Sequence, residues 1–157
     1  MLKEEELKKI KNIKKEEKEE MKNKYYKFPN NIEEVRSIVV EENENNKIII
    51  IDYFTNSCTP CKFLDNILLG VFKYYEDKGI KDKFSLLKIN LDNDNLLDLA
   101  VTFGIKAIPT LMFIKNSELQ KVKMKDDDGE IREHEILVGL KEPEVYVSIF
   151  NKIMEGK

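Results

Sequence analysis

Two cysteines separated by two residues are the side chains of this sequence best suited to redox chemistry. Cys58 and Cys61 follow an apolar run at residues 48–51 and precede apolar residues at helical spacing, which places them at the start of a helix. There, unpaired backbone N–H groups and the positive end of the helix dipole stabilise a thiolate, which predicts a lowered pKa for Cys58. We therefore interpret Cys58 as a nucleophile. Cys61, one turn further along, would resolve a mixed disulfide formed at Cys58.

Two other roles for the cysteines are open on the residues alone. A zinc site needs more ligands, but there is no second cysteine pair, and the single histidine, His134, falls in a predicted hairpin as an exposed strand residue. Inert, buried cysteines are the second alternative, which the strand-to-helix context disfavours. Pro60 fits the redox interpretation, because the first turn of a helix has no partner for the N–H that proline lacks.

The composition limits the remaining function classes. The chain has 157 residues, about the length of one domain, and its two cysteines are too few for a disulfide-supported secreted fold. A net charge of −3 and a pI near 5.4 argue against nucleic-acid binding. No stretch reaches the ~18 apolar residues of a membrane span, and the charged N-terminus is unlike a signal peptide. We therefore expect a cytoplasmic protein with no membrane partner.

The first 27 residues differ in composition from the rest of the chain. They contain ten lysines and seven glutamates, with several Glu–Lys pairs at the i, i+4 spacing that supports a helix. Their apolar residues form only a thin stripe: Leu7, Ile10, Ile13 and Met21. We therefore expect residues 1–27 to be a charged helical or flexible arm, largely solvated, attached to a domain at residues 28–157. A helix that binds a partner or associates with itself is the alternative.

The hydrophobic pattern after residue 29 predicts an α/β fold. Helical spacing occurs at about residues 32–40, 58–76, 93–103 and 142–154, and buried central strands are predicted at 47–54 and 84–91. Further strands joined by turns are predicted at 110–115, 119–125 and 130–138. Alternation of helices and strands requires a parallel core with right-handed crossovers, to which the later hairpins add antiparallel strands.

Two segments resemble the signatures of the thioredoxin family. Residues 50–62, Ile-Ile-Asp-Tyr-Phe-Thr-Asn-Ser-Cys-Thr-Pro-Cys-Lys, are similar to its active-site segment, and residues 103–111, Phe-Gly-Ile-Lys-Ala-Ile-Pro-Thr-Leu, to its second signature. The resemblance runs from about residue 28 to the C-terminus. It implies a thioredoxin fold, a mixed sheet flanked by helices, with the charged N-terminal helix and an extended C-terminal hairpin as additions. It also implies that the redox group is a Cys58–Cys61 disulfide and that no cofactor is bound.

The same resemblance implies roles for residues outside the cysteine pair. Asp52 matches a buried carboxylate that moves a proton to and from the resolving cysteine, and Lys88 matches the lysine beside it. Pro109 matches a cis-proline that stands against the sulfurs. Gly139 matches a glycine that lets a substrate chain approach. The resemblance also implies substrate contacts at neighbouring positions: Ser57, Thr59, Pro60, Ile108 and Thr110.

The function that the resemblance implies is thiol–disulfide oxidoreduction. The protein would reduce or exchange disulfides in protein substrates, and a thioredoxin reductase would recharge it, so that NADPH enters only indirectly. Several positions depart from the family pattern: Ser57 replaces a tryptophan, Thr59 a glycine and Asn66 a proline, and residues 118–137 are longer than the family's hairpin. The alternative is a thioredoxin-fold binding or adaptor module that uses the arm and the hairpin and has little turnover.

Overall fold

A computed structural model describes residues 2–156 as a β-sheet with helices on both faces. Within these residues there are six α-helices, which are α1 (Glu4–Lys11), α2 (Lys15–Tyr25), α3 (Ile32–Glu44), α4 (Thr59–Asp77), α5 (Leu97–Thr102) and α6 (Pro143–Glu155), and a short 3₁₀ helix at Asp94–Leu96 directly before α5. The strands are β1 (Tyr26–Lys27), β2 (Ile48–Phe54), β3 (Phe84–Asn90), β4 (Thr110–Lys115), β5 (Glu118–Leu119), β6 (Val122–Lys125), β7 (Ile131–His134) and β8 (Leu137–Val138). None of the helices in the described range is long and apolar enough to cross a bilayer.

The main sheet is mixed, which confirms the expected fold class. Its order is β1-β3-β2-β4, and the outer edge of β4 is shared by β5 and β8. Strands β1 and β2 both run parallel to β3, whereas β4 runs antiparallel to β2. The predicted helices and central strands are therefore present, and the strands after residue 110 add the antiparallel part of the sheet.

Strand β2 lies at the centre of the fold because both of its faces are covered. Side chains alternate along a strand, so Ile48 and Ile50 pack toward α4 and α6, whereas Ile49, Ile51 and Tyr53 pack toward α3 and α5. This alternation puts Asp52, which follows the isoleucines, on the α4 face.

The N-terminal segment packs on the domain, which corrects the expectation of a largely solvated arm. It forms two helices instead of one, and both contact α4, while α1 also contacts α6. Ile10 and Met21 are completely or almost completely buried, and so is Tyr25, which the sequence interpretation did not count in the apolar stripe. A few large apolar side chains hold the segment against the domain. Most of its lysines and glutamates lie on the outer face, where they stay solvated.

Each of these two helices begins at a turn capped by a glutamate. The Glu6 carboxylate accepts the backbone N–H of Lys3 at 2.9 Å, and the Glu17 carboxylate accepts that of Lys14 at 3.1 Å. The second cap starts a new helix after the interruption at residues 12–14, so the chain turns back and lays a second helix against α4.

A glycine in the middle of α4 allows α1 to approach closely. A Cβ atom at Gly70 would collide with the backbone oxygen of Ile10, so any larger residue would force the two helices apart. In the interface of α2 with α4, the ring of Tyr25 stacks on that of Phe72 with 4.6 Å between the ring centroids.

The extension of the C-terminal hairpin forms its own two-stranded ladder, β6 with β7, separate from the main sheet. Charged contacts hold its tip, where Arg132 makes two parallel bonds to Asp128, at 3.0 and 2.9 Å, and a third to Asp126 at 2.6 Å. His134 lies on β7 as predicted, but it is half-buried rather than exposed, with Nε2 2.8 Å from Asp126 Oδ1.

Candidate active site

The cysteine pair lies where β2 gives way to α4. Cys58 is the residue immediately before the first helical turn, and its sulfur accepts the backbone N–H of Cys61 at 3.2 Å. Pro60 occupies the second helical position, where no hydrogen bond is lost. Cys58 and Cys61 are joined as a disulfide, with their Cα atoms 5.3 Å apart. The predicted placement of the pair at a helix start is therefore confirmed.

The two cysteine residues differ in their exposure to solvent. Cys61 is 3% exposed, whereas Cys58 is partly exposed and surrounded by three exposed residues, Ser57, Thr59 and Pro60. A bulky partner can therefore reach Cys58 but not Cys61. This asymmetry agrees with an external attack at Cys58 and an internal one by Cys61.

The second signature forms the start of β4, at the same end of the sheet as the cysteines. The Ile108–Pro109 peptide bond is cis, as the resemblance implies. Thr110 pairs in register with Tyr53 of β2, five residues before Cys58. Its hydroxyl donates to the carbonyl of Ala107 at 2.7 Å, so this side chain is already satisfied within the loop.

Gly139 lies beside the cis-proline. Its N–H donates to the carbonyl of Pro109 at 2.8 Å, directly after β8 pairs with β4. With a φ of +88°, its backbone is in the left-handed region that favours glycine, and a Cβ there would meet open space. The glycine is thus required by the backbone conformation of this turn.

A buried acid–base pair lies beneath the cysteines, on the α4 face of the sheet. Asp52 and Lys88 are register partners on β2 and β3, and Lys88 Nζ lies 3.0 Å from Asp52 Oδ2. The relative exposure of Asp52 is 1%, and its other oxygen, Oδ1, has no hydrogen-bond partner. Burial raises the pKa of Asp52 to about 6, although the attraction of Lys88 opposes the rise.

Lys88 keeps its proton in this setting. Burial alone would lower the pKa of Lys88, but the nearby carboxylates of Asp52 and Asp65 raise it above its ordinary value. The ammonium also lies 4.1 Å from the centroid of the Phe54 ring, at cation–π distance. Lys88 is therefore a fixed positive charge next to Asp52.

Two residues of this cluster were missed on the sequence. Lys88 Nζ lies 2.8 Å from Asp65 Oδ1, and the hydroxyl of Tyr26 donates to that same oxygen at 3.0 Å. The position of Asp65 carried a signal, because it lies four residues after Cys61 and so on the same face of the helix. The position of Tyr26 carried no such signal, since this residue lies within the segment that was assigned to the N-terminal arm.

The structure offers no support for the zinc alternative. In the part of the chain that is described, no group of three or more His, Cys, Asp or Glu side chains could hold a metal ion. His134 is far from the cysteine pair in sequence and is paired with Asp126 on the hairpin.

Comparison with known proteins agrees with this geometry. The family model described as Thioredoxin matches residues 29–142. A thioredoxin of Buchnera aphidicola is 36% identical over 91 residues, covering 53% of this chain and 77% of that protein. A thioredoxin of Rickettsia typhi is 30% identical over 95 residues, covering 60% of this chain and 83% of that protein.

Solved structures show the same fold. Thioredoxin NaTrxh from Nicotiana alata superposes with a TM-score of 0.56 at 23% identity, covering 82% of this chain and 92% of that one. Chloroplastic thioredoxin z gives a TM-score of 0.58 at 19% identity, covering 84% and 96%. The sequence match spans the cysteine pair and the cis-proline and most of the chain around them, so the chain belongs to the thioredoxin family, whose redox group is its own cysteine pair.

Proposed function

We propose that the protein reduces or exchanges disulfides in other proteins, with Cys58 as the nucleophile and Cys61 as the resolving thiol. Family membership and the Cys-x-x-Cys pair support thiol–disulfide oxidoreductase activity. The observation that carries the assignment of roles is the difference in exposure between the two cysteine residues. Cys58 is partly exposed, whereas Cys61 is 3% exposed.

The reaction starts from the dithiol. The Cys58 thiolate attacks one sulfur of a substrate disulfide, so a bond from Cys58 to the substrate forms as the substrate S–S bond breaks. The first substrate thiolate leaves and takes up a proton. Cys61 then loses its proton and attacks the Cys58 sulfur, which forms the Cys58–Cys61 disulfide and releases the second substrate thiolate. Two electrons have passed from the protein to the substrate.

Asp52 would take the proton from Cys61 in the second step. With a pKa of about 6, its carboxyl is mostly ionised at neutral pH, yet it binds a proton more readily than an ordinary aspartate. Its Oδ1 has no other hydrogen-bond partner, so it is free to accept the proton. Lys88 would act through Asp52, by holding the other oxygen of this carboxylate in place.

The substrate would lie along the cis-proline loop. Ile108 would offer its backbone N–H and C=O to an extended substrate segment that packs against the ring of Pro109, and Gly139 would leave room for it on the other side. Ser57, Thr59 and Pro60 would form the exposed surface around Cys58. Thr110 would support the loop without binding the substrate directly, because its side chain is buried and bonded within the loop and its backbone lies between β2 and β8.

The oxidised pair must be reduced again by an external dithiol. A thioredoxin reductase would supply it, and NADPH would be used at that enzyme and not in this chain. We place this cycle in the cytoplasm, because a reducing compartment keeps a cysteine pair available as the dithiol. We assign it to residues 28–157, which contain the cysteine pair, Asp52, Lys88 and the cis-proline loop.

An adaptor role is the second candidate, and one feature favours it. The β6–β7 ladder stands apart from the main sheet, and its Ile131 is 69% exposed. A ladder that stands apart from the main sheet could contact a partner without using the cysteines. This role predicts that a variant without the redox pair still binds its partner.

Reduction of insulin, followed by its precipitation with dithiothreitol as the reductant, tests the enzymatic proposal. The wild-type protein should accelerate precipitation, and Cys58→Ser should reduce the rate to that of dithiothreitol alone. If the wild type fails to accelerate the reaction, or Cys58→Ser is equally active, the enzymatic proposal is wrong.

The matched variant Cys61→Ser tests the order of attack. It should accumulate a covalent adduct with insulin through Cys58, which dithiothreitol releases and mass spectrometry identifies. If adducts form instead through Cys61 in the Cys58→Ser protein, the two roles must be reversed.

A further inference from the structure

A second carboxylate, Asp65, competes with Asp52 for the ammonium of Lys88. We propose that Asp65 is a positioning residue that draws Lys88 partly away from Asp52 and so sets how tightly Asp52 holds the proton received from Cys61. This inference rests on the proposed function and adds to it a residue that tunes the resolving step.

The distances support a shared ammonium. Lys88 Nζ lies 2.8 Å from Asp65 Oδ1 and 3.0 Å from Asp52 Oδ2, so the contact with Asp65 is the shorter one. Asp52 has no second donor, because its Oδ1 is unpartnered. The buried carboxylate therefore relies on a lysine that also serves another negative charge.

Asp65 is held in place from the other side by Tyr26. The Tyr26 hydroxyl donates to Asp65 Oδ1, the same oxygen that accepts from Lys88. Burial raises the pKa of Tyr26 well above its ordinary range, so this phenol stays protonated and remains a donor. With two donors on one oxygen, the Asp65 carboxylate has a fixed position beside Lys88.

The two carboxylates differ in their contact with water. The Asp65 side chain is 26% exposed, whereas that of Asp52 is 1% exposed. Burial penalises the charged form of a carboxyl, and two nearby carboxylates disfavour each other's ionisation. Burial and the nearby negative charge of Asp65 therefore both favour the protonated form of Asp52.

Groups on four other elements interact electrostatically with Asp52. They are Lys88 on β3, Asp65 on α4, Tyr26 on β1 and Tyr146 on α6. Burial also raises the pKa of Tyr146, to about 12, so both phenols are neutral in the working range. In the oxidised protein the cysteines do not titrate, and Lys88 and Asp65 are left as the charges that act on Asp52.

Direct titration of Asp52 in the oxidised full-length protein tests the proposal. In Asp65→Asn the like charge is gone and Lys88 pairs with Asp52 alone, so we expect the pKa of Asp52 to fall by about one pH unit. The carboxyl carbon of Asp52, followed by ¹³C NMR against pH, gives this value without a substrate. Asp65→Ala should shift it in the same direction and serves if the asparagine variant does not fold.

Glu76→Gln is the matched control. Glu76 is another carboxylate of α4 bonded to a tyrosine and a lysine, but at the far end of the helix, so its loss should leave the titration of Asp52 unchanged. The resolving step should follow the same pattern. In Asp65→Asn, the pH profile for release of the second substrate thiol should move to lower pH, and in Glu76→Gln it should not.

Two results would overturn the proposal: an unchanged titration of Asp52 in Asp65→Asn, or a shift to higher pH. A loss of stability without a shift would mean that Asp65 has only a structural role. Failure of the wild type to reduce insulin would instead count against the proposed function, because the titration requires no turnover.

Discussion

Two neighbouring tyrosines, Tyr25 and Tyr26, connect the N-terminal segment to opposite ends of α4 with the same set of groups. At the far end, the hydroxyl of Tyr25 donates to Glu76 at 2.7 Å, and Lys24 pairs with this carboxylate at 3.0 Å. At the active-site end, Tyr26 donates to Asp65, which pairs with Lys88. Each cluster consists of a tyrosine, a carboxylate and a lysine.

The clusters differ in the number of charges and in their access to water. Lys24 is 41% exposed and serves Glu76, and the hydrogen bonds from Tyr25 and Lys24 outweigh burial and lower the pKa of Glu76. Lys88 is 4% exposed and is shared by two carboxylates, and the pKa of Asp52 is raised to about 6. The paired charge of Glu76 thus stabilises the fold. The additional buried carboxylate in the other cluster, Asp52, instead has a perturbed proton affinity.

Deleting residues 2–25 should have the largest effect, because it removes the far cluster and leaves Tyr26 in place. The deletion also removes the buried side chains of Ile10, Met21 and Tyr25 and exposes the surface of α4 that they cover. At ~1.5–3 kcal/mol for each large apolar side chain, the free energy of unfolding should fall by roughly 5 kcal/mol. Urea unfolding followed by circular dichroism measures this.

A substitution at an exposed position provides the control for the deletion. Glu20→Ala, on the outer face of α2, should change the free energy of unfolding by less than about 0.5 kcal/mol. If the deleted protein keeps the midpoint of the full chain, the buried contacts of α1 and α2 do not stabilise the domain.

Asp52→Asn should stabilise the protein at neutral pH. The pKa of Asp52 is raised in the folded state, so its contribution to stability is complete below pH ~4 and is lost as the pH rises through about 6. Removing this carboxyl should add up to about 3 kcal/mol at pH 7, because one pH unit corresponds to ~1.4 kcal/mol. Urea unfolding at pH 4 and pH 7 should show the gain only at the higher pH, and equal gains at both would contradict it.

Glu76→Gln should have the opposite effect on stability and lower the free energy of unfolding at neutral pH. The pKa of Glu76 is lowered in the folded state, so its stabilisation is present above its ordinary pKa and is lost as the pH falls. We expect a loss of about 1–2 kcal/mol at pH 7 and a smaller loss in acid, since hydrogen bonds to a charged group are the stronger ones. The same unfolding series measures this, and a stabilising effect at pH 7 would remove the contrast between the two clusters.

The two hydroxyls provide the smallest and most closely matched comparison. Tyr25→Phe deletes a buried hydrogen bond and Tyr26→Phe a partly buried one, and each should cost about 1 kcal/mol. Without the Tyr26 hydroxyl, Asp65 relies more on Lys88, so only Tyr26→Phe should move the titration of Asp52, slightly to higher pH. An equal shift in Tyr25→Phe would show that the two clusters are not independent.

The parts of the site that could be predicted from the sequence are those encoded by local pattern. Cys58 and Cys61 were placed at a helix start by the apolar strand before them and the helical spacing after them. The pairing of Asp52 with Lys88 and the cis bond before Pro109 followed from the family resemblance. Their functional roles remain predictions.

The packing of the N-terminal segment could not be predicted, because it depends on contacts between distant residues. The charged composition predicted a solvated arm, but Tyr25 stacks on Phe72 and Ile10 lies against Gly70 of α4. Neither contact follows from helical periodicity. The contact of Asp65 with Lys88 was not predicted for a related reason, because it depends on how α4 packs across the sheet.

The position of Tyr26 links two equilibria thermodynamically: docking of the N-terminal segment and protonation of Asp52. Tyr26 belongs to β1, which the N-terminal helices precede directly, and it bonds to a carboxylate of the active-site cluster. If docking of that segment biases the proton affinity of Asp52, protonation of Asp52 must bias docking by the same free energy, because coupling between two equilibria is reciprocal. A ligand that held the segment away from α4 would then act as an allosteric effector of the cysteine pair.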